Sequence, residues 1–251
     1  MTWVNTVGGL IQFVVLLIKL VLVEYNTKVK SVNNFEPKVL LLYPPEQNWE
    51  NTLCKPNGSL AYPMLGGALR DIDVEVEVYD ACVGNNQDDY KSFFFNPTRL
   101  SSGLLRTGVS DKRILDVVKD FDFVGITSIF SLQETMVLHC CRLIKKHFPK
   151  KILFTGGVNA RARYNIFLDA GFDIVCTSES ELTIKKIMKV YRNGSRDWSS
   201  VPKILFRKDG KTINTSHLGN IIWNLDELPM PAWDLLPNEI FWKIGRPHGG
   251  S

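Results

Sequence analysis

Histidine and cysteine are scarce in this chain, and their placement excludes several kinds of site. The 251 residues include four histidines (His139, His147, His217, His248) and five cysteines (Cys54, Cys82, Cys140, Cys141, Cys176). Five is odd, and no two cysteines form a C-x-x-C pair. Neither a disulfide framework, nor a zinc site, nor a complete cysteine-ligated iron–sulfur site is expected, whereas a reducing, cytoplasmic compartment is. Charge of one sign is lacking too: 30 Lys and Arg against 26 Asp and Glu leave +4, too little and too scattered for a nucleic-acid partner. No G-x-G-x-x-G or G-x-x-x-x-G-K-[ST] occurs, so the dinucleotide and nucleoside-triphosphate fingerprints are absent. No histidine stands near the serines of the strand ends, which removes a serine–histidine nucleophile pair.

What is present is a chain that is 45% hydrophobic and 22% charged, ordinary for one generous globular domain with appendages. One appendage is N-terminal. The run from Val7 to Val23 is apolar apart from Gln12 and Lys19, and Lys28, Lys30 and Lys38 follow it. It suits a short membrane anchor with the body on the cytoplasmic side, an amphipathic or packing helix, or a start site assigned too early. Residues 26–37 then read as a linker.

Beyond it, short apolar runs alternate with helical periodicity. Strands are expected at 38–43, 74–79, 123–127, 151–155 and 173–177. Helices are expected at 60–70, 111–121, from Ser131 to about Phe148, at 162–170, and from Ser178 to about Tyr191. Ser131 with Glu134, and Ser178 with Glu181, have capping-box spacing. Residues 85–110 lack a period and read as a long excursion with one short helix. The pattern predicts an α/β fold: a Rossmann-like or flavodoxin-like, five-stranded, mainly parallel sheet with helices on both faces. A hairpin around Asp209-Gly210 and a Pro-rich strap at 225–237 follow.

Ligands of such sheets bind outside the carboxyl ends of the strands. Here the first strand ends in Pro44-Pro45, the third in Thr127-Ser128 and the fourth in Gly156-Gly157, and the fifth leads into Ser178-Glu179-Ser180-Glu181. A phospho-acceptor domain would need carboxylates where the prolines and Thr127-Ser128 stand. Small side chains at three strand ends leave an open rim that backbone can use to approach a large or flat ligand. Alternatively, they merely make tight turns. Asp80, ending the second strand, is a turn-forming residue or a ribose ligand.

In order and spacing these segments resemble the cobalamin-binding domain that precedes the barrel of B12-dependent radical SAM proteins. The matching motifs are Tyr43-Pro44-Pro45, Tyr62-Pro63-Met64-Leu65-Gly66-Gly67, Val124-Gly125-Ile126-Thr127, Gly156-Gly157, and Asp173-Ile174-Val175 leading to Ser178-Glu179-Ser180-Glu181-Leu182-Thr183. The hairpin and Leu228-Pro229-Met230-Pro231 resemble the family's linker, so the likeness covers about residues 37–237.

The resemblance implies three regions: 1–36 as apolar helix and linker, 37–195 as the cobalamin domain, and 196–251 as the linker towards a radical SAM barrel. That barrel, with its [4Fe–4S] cluster and S-adenosylmethionine, is expected in cis beyond a truncated end, or in trans. By resemblance the corrin side chains and nucleotide tail are held by Thr127, Ser128, Ser131, Gly156, Gly157, Val158, Asn159, Ser178, Glu179, Ser180 and Glu181. Pro63 and Gly66 of the Y-P helix belong to the same site. Pro44, Pro45, Glu46, Gln47, Asn48 and Trp49 face the lower side of cobalt; they include no histidine, which implies base-off, His-off cobalamin. No residue is expected to be catalytic or to ligate a metal.

The family's G-E-G-E has become Ser178-Glu179-Ser180-Glu181, which costs about 1–2 kcal/mol wherever a position needs positive φ. A scaffold module that has lost the cofactor is therefore the alternative, followed by an unrelated α/β enzyme.

Overall fold

The computed structural model describes residues 36–50, 52, 59–219 and 222–245. The run from Val7 to Val23, Cys54 and His248 lie outside the described residues. Among the described residues, no helix is long and apolar enough to cross a membrane.

In chain order the first elements are β1 (Lys38–Tyr43), β2 (Glu46–Asn48), α1 (Ala61–Arg70), β3 (Glu75–Asp80), α2 (Tyr90–Phe94), β4 (Thr98–Arg99), β5 (Leu105–Thr107) and α3 (Asp111–Val118). Then come β6 (Phe123–Thr127), α4 (Glu134–His147), β7 (Ile152–Gly156), α5 (Val158–Ala162), α6 (Tyr164–Ala170), β8 (Ile174–Cys176) and α7 (Glu181–Arg192). The hairpin β9 (Ile204–Lys208) and β10 (Lys211–Asn214) and a helix, α8 (Asn238–Lys243), follow among the described residues.

The run Val39-Leu40-Leu41-Leu42 has no polar side to turn to water, and β1 accordingly sits centrally, covered on both faces. Val39 and Leu41 pack with Tyr62, Leu69, Ile184 and Ile187 of α1 and α7. Leu40 and Leu42 pack with Ile114, Val137, Ile144 and Phe167 of α3, α4 and α6. Each such fully buried aliphatic side chain contributes about 1.5–3 kcal/mol.

Five parallel strands run in the order β3-β1-β6-β7-β8, with the strand order reversing between β1 and β6. The expected sheet is thus present but larger. The hairpin does not stand apart: β9 pairs antiparallel with β8 (Ile174 opposite Phe206, Cys176 opposite Ile204), and the sheet has seven strands. Asp209 and Gly210 at its tip have φ of 50° and 74°, as a type I′ turn requires. Asn85 to Ser110 is more ordered than its irregular composition suggested, for β4 and β5 join β2 in a small antiparallel sheet.

Both expected capping boxes are absent. Ser131 to Gln133 is a 3₁₀ turn, and Gln133 Oε1 instead accepts from the N–H groups of Ile129 and Phe130 at 3.2 and 3.3 Å. The tighter winding carries Leu132 out of the apolar stripe, and it is 76% exposed. Ser178 and Ser180 hydroxyls bond to carbonyls within their own turn, of Glu179 and Ser178 respectively. The helix expected at 162–170 is α6, preceded by a further short helix, α5, that ends at Ala162, with Arg163 between the two.

The strap is irregular, as expected, and crosses α1. Ala232 N–H donates to the Pro63 carbonyl at 2.8 Å, and Arg70 forms a two-pronged ion pair with Asp234.

Candidate functional site

The carboxyl ends of β1, β6, β7 and β8 open onto a cavity of about 300 Å³ between the sheet and α1. Its floor is apolar, made by Leu41, Gly125, Phe154 and Cys176 from mid-strand positions, with Tyr62 and Leu65 of α1 as a wall. Gly125 has no side chain because the Phe154 ring occupies the space a Cβ would take. Burial pushes the Cys176 thiol up to about 11, so it is an inert lining group at neutral pH.

The rim is polar and built from strand ends. Thr127 closes β6; Gly156, Gly157 and Val158 turn β7 into α5; Ser178, Glu179, Ser180 and Glu181 lead into α7. Gly157 has φ +102°, and a Cβ there would stand 2.5 Å from the Ser128 carbonyl oxygen, so the turn requires glycine. The two serines of the last segment carry no such strain: Ser180 has φ −109°, and Ser178 is not among the residues with positive φ. The cost anticipated for serine in place of glycine does not arise.

The remaining expected site residues lie outside the cavity lining. Ser128 and Asn159 are buried behind the rim and bond to each other, Asn159 Nδ2 donating to Ser128 Oγ at 2.9 Å and to Glu134 Oε2 at 3.2 Å. They brace the turn rather than face a ligand. Ser131 begins the exposed 3₁₀ turn. Pro44 and Pro45 are buried after β1, and Glu46, Gln47 and Asn48 form β2, followed by Trp49, which is 71% exposed. The Tyr43 hydroxyl ties this group to the sheet, donating to Glu46 Oε1 at 3.3 Å and accepting from Gln133 Nε2 at 2.8 Å. Pro63 and Gly66 turn towards the strap; a Cβ on Gly66 would meet Leu235 Cδ1 at 2.7 Å.

Sequence reasoning missed Arg161, Phe154 and Cys176 as lining residues. The helical spacing of residues 60–70, and the Y-P motif that contains Tyr62 and Leu65, were the available signals for the α1 wall. Asp80 proves a turn former: Oδ1 accepts from Cys82 N–H at 2.8 Å, and burial raises its pKa to about 7. Among the described residues no histidine lines the cavity; His139 pairs with Asp111 at 2.8 Å, and His147 and His217 are exposed.

The residues present fit a ligand with a compact apolar end and several polar groups. The floor is an apolar slot at the small end of the range for ligand sites, too small to enclose a corrin but open at its mouth. On the rim, Glu181 Oε2 is buried without a hydrogen-bond partner among the described residues, an acceptor awaiting an N–H or O–H donor.

No protein-family model matches the chain. It is 28% identical over 232 residues to cytidylyl-2-hydroxyethylphosphonate methyltransferase of Streptomyces wedmorensis, spanning 82% of this chain and 42% of that protein. A 77-residue stretch is 32% identical to an uncharacterised methyltransferase of Pyrococcus horikoshii, covering 31% of this chain and 16% of that one. Among solved structures, the cobalamin-dependent S-adenosylmethionine radical enzyme OxsB with aqua-cobalamin bound overlays 85% of this chain and 26% of its own, with a TM-score of 0.62 at 19% identity. The radical S-adenosylmethionine methyltransferase TsrM of Kitasatospora setae, with cobalamin and a [4Fe–4S] cluster bound, overlays 78% of this chain and 31% of its own, with a TM-score of 0.51 at 15% identity. The chain thus spans less than half the length of the relatives it matches, and it has the fold of one part of OxsB and TsrM.

Proposed function

We propose that this chain is a cobalamin-binding module of a radical SAM enzyme, methyltransferase-like or related, and that it has no turnover alone. The observation that carries the proposal is the apolar slot at the carboxyl edge of the sheet, bounded by a glycine-only turn at Gly157 and an unpartnered acceptor on Glu181. The resemblance of the sequence motifs and the overlays with two cobalamin-bound structures support the same reading.

In this proposal residues 37–195 hold the cofactor, with the nucleotide tail in the slot between β6, β7, β8 and α1. Thr127, Gly156, Gly157, Val158 and the 178–181 turn contact it directly, while Ser128 and Asn159 hold the turn that shapes the rim. Pro44 to Trp49 stand beside the lower face of cobalt, which carries no histidine ligand. Bound cobalamin supplies methyl-donor or redox chemistry; the protein places it and excludes water from the tail. Residues 196–251 lead to a radical SAM barrel, in cis or in trans, which holds the [4Fe–4S] cluster and S-adenosylmethionine.

The test is a visible spectrum of the full chain after incubation with hydroxocobalamin and desalting. Retained corrin absorbance with a base-off shift is the expected result. A colourless protein that remains folded by circular dichroism overturns the reading and favours the scaffold alternative.

A further inference from the structure

Two arginines leave α5 close together, and the structure uses them differently. Arg163 Nε stands 3.2 Å from Glu134 Oε2, so its charge is already matched inside the protein. Arg161 lines the cavity, has no carboxylate partner among the described residues, and makes one hydrogen bond, from Nη1 to the Thr177 carbonyl at 3.2 Å. That bond uses one of the five guanidinium N–H groups and anchors the side chain across the mouth between β7 and β8. Arg161 is the one cation among the described lining residues; the other charged groups there are Glu179 and Glu181.

The rim therefore offers a fork of positive charge from Arg161 and a buried, unpartnered acceptor from Glu181. A ligand matching both carries a phosphate oxygen and an amide or hydroxyl donor. The planar fork suits a phosphodiester, which keeps one negative charge at neutral pH.

We propose that Arg161 is a specificity residue of this cleft. Its guanidinium takes the phosphodiester that joins the corrin to its benzimidazole tail, and so selects complete cobalamin over corrinoids lacking the nucleotide loop. This rests on the cobalamin-binding reading above. Glu181 Oε2 accepts from a carboxamide or ribose hydroxyl of the same ligand.

The experiment titrates the full chain and its Arg161→Gln and Arg161→Lys variants with aquacobalamin and with diaquacobinamide, which lacks both phosphodiester and tail, and reads Kd from the visible spectrum. For Arg161→Gln, cobalamin binding weakens about tenfold, a size expected for a charge-assisted bond at a half-open site. Cobinamide binding stays within about twofold, and Arg161→Lys recovers part of the loss as a point charge. Raising the salt concentration weakens cobalamin binding to the native chain more than to Arg161→Gln.

Equal losses for both corrinoids overturn the proposal, since Arg161 would then act only through Thr177 and the shape of the turn. Unchanged cobalamin binding in Arg161→Gln overturns it as well. A native chain that binds neither corrinoid refutes the cobalamin reading itself, an outcome distinct from either of these.

Discussion

The Tyr62 hydroxyl bridges the point where β1 and β6 part: it donates to the Leu42 carbonyl at 2.5 Å and accepts from the Thr127 N–H at 3.2 Å. The register between the two strands ends at Leu42 opposite Ile126, so this phenol supplies the rung beyond the last strand pair. It is fully buried, and burial pushes its pKa upward, so it remains a neutral donor throughout. Tyr62→Phe leaves a buried carbonyl and a buried N–H unpaired. The expected loss is about 1–3 kcal/mol of stability, read as a lower urea midpoint with an unchanged m-value.

Gly157→Ala tests the other fixed point of the rim. Positive φ and a Cβ 2.5 Å from the Ser128 carbonyl act together, and the expected cost is about 1–3 kcal/mol, with loss of corrinoid retention at temperatures where the variant is still folded. Gly156→Ala is milder, because its Cβ would meet Cys176 at an ordinary 3.4 Å. Desalting after cobalamin incubation should rank the two in that order.

Asp80 gives the protein a pH dependence of unusual sign for a carboxylate. Its ordinary value of 3.8 is raised to about 7, first by burial, while the Cys82 N–H pulls the other way. Below about pH 4 folded and unfolded chains both hold the proton. Between about 4 and 7 only the unfolded chain releases it, so this group lowers stability as pH rises, by up to about 1.4 kcal/mol per unit, and the loss levels off above 7. Asp80→Asn keeps an acceptor for Cys82 N–H and should flatten this part of the profile. Urea midpoints at pH 5 and pH 8 for both proteins provide the check; equal slopes would contradict it.

The double variant Ser178→Gly, Ser180→Gly should not be more stable than the native chain. Neither position has positive φ, so glycine adds unfolded-state freedom and relieves no strain. A fall of about 0.5–1 kcal/mol per substitution is expected in thermal unfolding.

Gly67 faces the strap so closely that a Cβ would overlap the Met230 carbonyl. Gly67→Ala should lift residues 225–237 from α1 and raise their cleavage by a protease under native conditions. Arg70→Ala removes only a half-exposed ion pair with Asp234 and should change cleavage little.

Four of the five parallel strands were legible because each is a short run buried on both faces, a pattern that Leu40 and Leu41 show as clearly as Phe123 and Val124; β3, at the edge, was legible from the alternation of Glu75 and Glu77 with Val76 and Val78. The turn at Gly156-Gly157 was legible for the same kind of reason: paired glycines after such a run have few other uses. Pairing partners were harder to read. Glu46, Gln47 and Asn48 form a strand with no apolar alternation, because all three are half-buried in the small sheet they join. The capping boxes failed because spacing alone cannot reveal that Gln133 holds the first turn through the Ile129 and Phe130 N–H groups, or that the Ser178 and Ser180 hydroxyls turn to carbonyls. The floor of the cavity was hidden for another reason. Phe154 and Cys176 lie in strands that look like plain core, and nothing in those strands marks the Phe154 ring, lying over Gly125, as the floor of a slot.

The hairpin added to β8 also settles where the chain comes off the sheet. β9 starts beside Cys176, at the cleft, and runs to the far edge; β10 climbs back, and Ser216 Oγ meets Thr177 Oγ1 at 3.0 Å. One added strand would have released the polypeptide at the opposite end of the molecule. Two make a round trip, so the segment that crosses α1 as the strap sets out from the same doorstep at which a ligand would arrive.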